Sequence, residues 1–223
     1  MTAVYLHGFA GSPSNWDGIG VGRAIALPGH GGGDVLATWD DNLEAIGARL
    51  DGCRVVVGYS LGARVALGLV ATGRVDRAIL VGVNPGLVDP AERAARRERD
   101  ARWAALLRTR GIAAFVDAWQ AQPLFATQAR VPAELLAERR SRRLALDPDQ
   151  LARSLEAMGL AEMPDYRAAV APDRCALIVG ALDESYLAIA RALPAPLEVI
   201  SYSGHDPTLE QPAALAEAIA RLM

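Results

Sequence analysis

The stretch "VVVGYSLGARVALG", residues 55–68, decides how the rest of the chain is read. Its opening valines are β-branched and uncharged, as suits a strand buried on both faces of a parallel sheet. From Leu61 onward, alanine, leucine and arginine follow without proline, a helical pattern. Between the two halves Gly58, Ser60 and Gly62 stand at alternate positions. The chain therefore turns from strand to helix around one serine. Small residues on either side let the backbone pass close to both elements and aim the hydroxyl off the C-terminal edge of the sheet. Arg64 follows one helical turn later, where a serine acting on neutral molecules needs no cation.

Outward from that turn, short apolar runs alternate with helical patterns, the mark of β-α-β units. The runs "AVYLHG", "RAIALPGHGGG", "CRVVVG", "DRAILVGV", "CALIVG" and "PLEVISY" read as strands with their loops. Helices are expected over 39–50, where Leu43, Ile46 and Leu50 recur at helical intervals, and over "LGARVALGLVATG", capped by Gly73. A last helix is expected over roughly 208–222. From 87 to 169 only helical periodicity remains, in pieces punctuated by proline or glycine. The expected architecture is an α/β core, 1–86 and 170–223, with a mostly parallel sheet flanked by helices and a helical cap inserted at 87–169.

Composition narrows the classes. A chain of 223 residues, 52% hydrophobic with mean hydropathy +0.16, suffices for one sizeable core. Without an 18-residue uncharged apolar run, no membrane insertion is expected. The opening "MTAVYLHGFAGSP" has no basic region before its apolar residues and does not read as a secretory signal. Cys53 and Cys175 are expected as buried thiols in a reducing, cytoplasmic setting. A net charge of −3 argues against nucleic-acid binding. There is no lysine, and twelve arginines against five acids give residues 93–143 a charge of +7, leaving −10 on the remainder. Solvated helix faces account for most such charges, yet a basic segment on an acidic body also suits an anion-binding lid. Neither metal nor cofactor is expected, and the chain should be a monomer or small homo-oligomer.

Gly58-Tyr59-Ser60-Leu61-Gly62 matches G-x-S-x-G in the strand–turn–helix setting that a nucleophile elbow requires. The fold expected from this is an α/β-hydrolase fold, N-terminally truncated, since the first run already carries the "HG" loop. A serine needs a base, and in the chain order Ser…Asp…His only His205 in "SGHDP" qualifies among His7, His30 and His205. The acid belongs after the penultimate strand, where Asp183 is favoured, with Glu184 adjacent. Asp206 abuts the histidine, and Asp173 precedes the strand at the wrong edge. The backbone N–H groups of Phe9 and Leu61 are placed to form an oxyanion hole. His7 and His30 read as loop-shaping residues.

"GYSLGAR" together with "RRERDARWAALLRTRGIAAFVDAWQAQPLFA" resembles the 2-succinyl-6-hydroxy-2,4-cyclohexadiene-1-carboxylate synthases of menaquinone biosynthesis. Further pieces of the resemblance are "LHGFAGSPSNW", "LPGHG", "NPGL", "LARSLEAMG" and "SGHDP". It implies a carbon–oxygen lyase that eliminates pyruvate from a small polycarboxylate, with Ser60, His205 and Asp183 acting as a base. It also implies substrate binding by Tyr59, Arg64, Arg96, Trp119 and Arg143, with Arg139 and Arg140 as alternatives to the last. Plain structural readings stand beside these. Arg64 could be a helix-surface arginine, Arg96 a solvated charge, Trp119 the core of the cap and Tyr59 a packing residue. The chain departs from the family at Asn84, where a histidine is usual, and at "MGLAEMP". A serine carboxylesterase or thioesterase is the alternative activity; it leaves Arg64 and the basic cap without a role.

Overall fold

Six strands make one sheet in the computed structural model, which describes residues 3–223. Residues 1–2 of the expected core segment lie outside the described residues. The strands are β1 (Ala3–Leu6), β2 (Gly22–Ile25), β3 (Val55–Tyr59), β4 (Arg77–Val81), β5 (Cys175–Gly180) and β6 (Leu197–Ile200), in the order β2-β1-β3-β4-β5-β6. Every pairing is parallel rather than most of them. No strand returns through a hairpin; each connection crosses over a face of the sheet.

That topology explains why "VVVGY" lacks alternation. Val56, Leu6, Leu80 and Leu177 pack on one face with helices α1 (Trp39–Ala48) and α2 (Leu61–Ala71). Val57, Tyr5, Ile79 and Ile178 pack on the other. There they meet Leu215 and Ile219 of the last helix. Successive side chains point to opposite faces and both faces are covered, so every position is apolar.

The last helical stretch is broken in two, α7 (Pro207–Glu210) and α8 (Pro212–Leu222). Pro212 forces the break, because it lacks an N–H and pushes Gln211 out of helical geometry, to φ −146° and ψ 58°. Cys175 is buried, but Cys53 is only half-buried, its thiol donating to the Val55 carbonyl. The expectation of two buried thiols is corrected there: Cys53 sits in the loop before β3, ahead of the covered part of the sheet.

Between β4 and β5 the chain is helical throughout: α3 (Pro90–Gln120), a 3-10 turn at Pro123–Arg130, α4 (Ala133–Leu144) and α5 (Pro148–Met158). "DPA" and "DPD" start α3 and α5 alike. Asp89 accepts the Ala91 amide at 2.8 Å, and Asp147 accepts the Asp149 amide at 2.8 Å, each with proline at the first helical position. Gly111, with non-helical φ 74° and ψ 179°, divides α3 into two helical segments that meet at a kink. Part of the +7 charge is offset by exposed pairs with acids outside the segment, Arg97–Glu162 and Arg108–Glu156, while Arg140 pairs with Asp117 within it. Among the described residues no helix is long and apolar enough to cross a membrane.

Candidate active site

Ser60 follows β3 directly, with φ 52° and ψ −108°, a backbone conformation that L-residues seldom adopt. The flanking glycines make the turn possible. A Cβ on Gly58 would sit 2.2 Å from the Gly62 carbonyl oxygen, and one on Gly62 would sit 2.2 Å from that of Leu6. Strand, turn and helix therefore approach at backbone contact.

The loops after β5 and β6 bring the other two groups. Asp183 caps α6 (Glu184–Arg191), and His205 lies between β6 and α7. His205 Nδ1 donates to Asp183 Oδ2 at 2.7 Å, which leaves Nε2 facing Ser60 Oγ at 3.1 Å. Both Asp183 and His205 are buried. Of the competing acids, Asp206 turns away to Arg139, 3.3 Å distant. The arrangement can pass a proton from Ser60 Oγ to the imidazole, with a carboxylate to stabilise the imidazolium.

The loop after β1 runs beside Ser60. A Cβ on Gly8 would lie 2.7 Å from the Tyr59 ring and 3.4 Å from Ser60 Cβ, so the Tyr59 ring leaves room only for glycine where the loop passes the serine. Two histidines hold that loop. His30 Nδ1 donates to the Pro28 carbonyl at 2.9 Å and Nε2 accepts the Ala10 amide at 3.0 Å; His7 Nδ1 donates to Gly8 at 2.8 Å and Nε2 accepts Leu27 at 3.1 Å. Burial holds His30 down to a pKa of about 4 and, together with the neighbouring His30, His7 down to about 3. Both rings are thus neutral scaffolding. Among the described residues the Phe9 and Leu61 amides have no protein acceptor, and Leu61 opens α2, where N–H groups are orphaned by geometry.

A cavity of about 310 Å³ opens over Ser60 and His205, roofed by α3, α4, α5 and the 3-10 turn. Tyr59, Arg64, Arg96, Trp119 and Arg143 all line it. Arg64 Nη1 donates to the Met158 carbonyl at 2.9 Å, and its guanidinium lies 5.9 Å from the Trp39 ring. Burial and the nearby Arg96 lower the Arg64 pKa to about 10, so it stays a cation at neutral pH. Arg96 Nε is shared by both oxygens of Asp100, at 2.8 and 3.0 Å. Arg143 is buried, its pKa lowered by desolvation, and its Nε and Nη1 have no partner among the described residues. Arg139 also reaches the cavity wall, whereas Arg140 lies outside with Asp117.

Trp119 belongs to an aromatic cluster with Phe9, Trp103, Phe115 and Phe125, ring centroids 5.1–6.3 Å away. It is thus both cap core and cavity wall. The Tyr59 ring lies 5.6 Å from His205, and burial, then Asp206, pushes its hydroxyl well above the usual pKa, leaving it a hydrogen-bond donor. Sequence reasoning missed Tyr186, whose ring lies 4.4 Å from that of His205, tilted by 50°, on the cavity wall. Its signal is position, three residues past the acid in the first turn of α6. It also missed Ser154, whose buried hydroxyl lines the cavity unpartnered among the described residues. Asn84 is no part of the cavity: its side chain accepts the Gly86 amide at 3.0 Å within a local turn.

The chain matches the family described as "Alpha/beta hydrolase family" over residues 3–218. It is 33% identical to the 2-succinyl-6-hydroxy-2,4-cyclohexadiene-1-carboxylate synthase of Escherichia coli (strain E24377A), over 99% of this chain and 92% of that protein. It is 32% identical to the enzyme of the same name from Enterobacter sp. (strain 638), covering 99% and 90%. The structure of MenH from S. aureus superposes with a TM-score of 0.90 at 27% identity, covering 99% and 92%. A Thermogutta terrifontis esterase shares the fold, with a TM-score of 0.80 at 23% identity over 100% and 89%. With its elbow at Ser60 and its helical insertion over one cavity, the chain belongs to the 2-succinyl-6-hydroxy-2,4-cyclohexadiene-1-carboxylate synthase family of α/β-hydrolase-fold enzymes.

Proposed function

We propose that this enzyme eliminates pyruvate from 2-succinyl-5-enolpyruvyl-6-hydroxy-3-cyclohexene-1-carboxylate, giving 2-succinyl-6-hydroxy-2,4-cyclohexadiene-1-carboxylate. The observation that carries the reading is a pair of cations. Arg64 and Arg143 line one cavity with Ser60, and among the described residues neither is in ion-pair contact with a carboxylate. Two desolvated guanidinium groups with no carboxylate in contact are costly unless an anion completes them. They form distinct groups, Arg64 with Arg96 and Tyr186, Arg143 with Arg139 and Tyr59. His205 touches both tyrosine rings. A substrate with carboxylates on either side of its reacting carbon fits this arrangement, and guanidinium forks suit carboxylates. Trp119 supplies an apolar wall for the ring.

In this reading Ser60, deprotonated through His205 with Asp183 fixing the tautomer, removes the ring proton beside the succinyl ketone. The C–H electrons form the new ring double bond, the existing one shifts, and the C–O bond to the enolpyruvyl group breaks. Enolpyruvate leaves and takes up a proton to become pyruvate. Charge gathers on the ketone oxygen, where the Phe9 and Leu61 amides act as oxyanion donors. The core 1–86 and 170–223 supplies base and donors, and the cap 87–169 supplies Arg96, Trp119 and Arg143.

Supplying the intermediate and following pyruvate tests the assignment directly. Well-folded protein that releases none but turns over p-nitrophenyl acetate with a burst would support the serine esterase reading instead, which the Ser60–His205–Asp183 chain alone would serve equally.

A further inference from the structure

Helix α4 is held in place without ordinary packing. Its buried residues are Arg139 and Arg143; Leu135 and Leu144 are exposed and Leu136 is half-buried. A helix that buries no apolar side chain completely has little hydrophobic force to set its depth or rotation. Polar contacts take over. Arg139 Nη1 pairs with Asp206 Oδ2 at 3.3 Å, and Nη2 donates to Thr208 Oγ1 at 3.3 Å. Thr208 Oγ1 donates to Asp206 Oδ1 at 2.5 Å, closing a ring of contacts. The Asn15 amide, oriented so that its nitrogen donates to the Ser12 carbonyl, accepts from Arg139 Nη1 at 2.6 Å. These partners come from the turn after β1, the residue following His205, and the first turn of α7.

Arg143 lies four residues on, on the same face of α4, equally buried, with two unpartnered guanidinium nitrogens, Nε and Nη1, among the described residues. One arginine is thus satisfied within the protein and the next is not. A buried ion pair adds little net stability over an apolar replacement, so its main effect here is geometric. We propose that Arg139 is a positioning residue: docked on Asp206, Thr208 and Asn15, it fixes the depth and rotation of α4 and so places the bare guanidinium of Arg143 in the substrate cavity. Through Asp206 the same contact ties the cap to the loop that carries His205. The inference rests on the proposed function only for the nature of the anion that Arg143 meets.

Arg139→Gln tests it in two ways. Hydrogen–deuterium exchange of the α4 amides should rise at least about tenfold while β3 and β4 stay protected. With the tricarboxylate substrate, KM should rise about tenfold while kcat stays within about threefold. Arg139→Gln/Arg143→Gln should then be no worse than Arg143→Gln alone. Unchanged α4 exchange would overturn the proposal, and so would additive losses, which would mean that Arg139 contacts the substrate itself. If Arg139→Gln does not fold, Arg139→Lys keeps the charge while giving up the bridge to Thr208 and Asn15. Its α4 exchange and KM should both rise, and wild-type values of both would overturn the proposal. The exchange arm needs no substrate, so it decides even if the reaction assignment fails.

Discussion

Arg64 asks at the residue scale whether the site serves an anion or a neutral ester. Arg64→Ala should lower kcat/KM for the tricarboxylate at least about tenfold more than for p-nitrophenyl acetate, since a hydrogen bond to a charged group contributes about 1.5–3 kcal/mol. Equal losses on both would reduce Arg64 to a brace for the Met158 carbonyl. Ser60→Ala should cut pyruvate release at least about a thousandfold without changing the fold, because it removes the group placed to take the proton. Single-turnover pyruvate assays would read this, and retained activity would move the base role to His205 alone.

Two glycines separate kinds of backbone demand at the element scale. Gly62→Ala would drive a Cβ into the Leu6 carbonyl at 2.2 Å, where neither strand nor helix can yield. A loss of about 3 kcal/mol or failure to fold is expected. Gly111→Ala meets nothing within 4 Å and suffers only the positive φ of 74°. With ψ 179° this is a region that essentially only glycine occupies, and a loss of about 1–3 kcal/mol with the fold kept is expected there, read by denaturant titration. A Gly62→Ala chain that folds and loses no more than Gly111→Ala would mean that the close approach of β1, the Ser60 turn and α2 is not what the motif glycines protect.

For the whole molecule, acid stability follows from the two scaffold histidines. His7 and His30 are held neutral when folded, with pKa values of about 3 and about 4, while in the unfolded chain both titrate near 6.5. Below that pH the unfolded chain binds protons that the folded one refuses. Stability is therefore full above about pH 6.5 and falls as pH drops, by about 1.4 kcal/mol per unit for each ring. His30 contributes until about pH 4 and His7 until about pH 3. Denaturant midpoints between pH 7 and pH 5 should show the slope, and a flat profile would mean that these rings are not buried neutral.

How much of this was legible depends on the range of each interaction. Strand runs, the glycine-flanked turn at Ser60 and the order Ser60, Asp183, His205 are local patterns or follow from chain order, and local sterics enforce the turn. The sequence by itself determined the sheet, the elbow and the helical insertion, for that reason. It also marked Arg64, since a cation one turn past the serine must face the same side of the helix. Only the tertiary structure decided between Arg139, Arg140 and Arg143. All three lie on one charged helix without a hydrophobic stripe to orient it, and their roles are set by partners 67 residues away at Asp206 or 23 away at Asp117. The same holds for Tyr186 and Ser154. Their neighbours come from distant segments, and no local pattern records which polar side chain is left without a partner once the cavity forms.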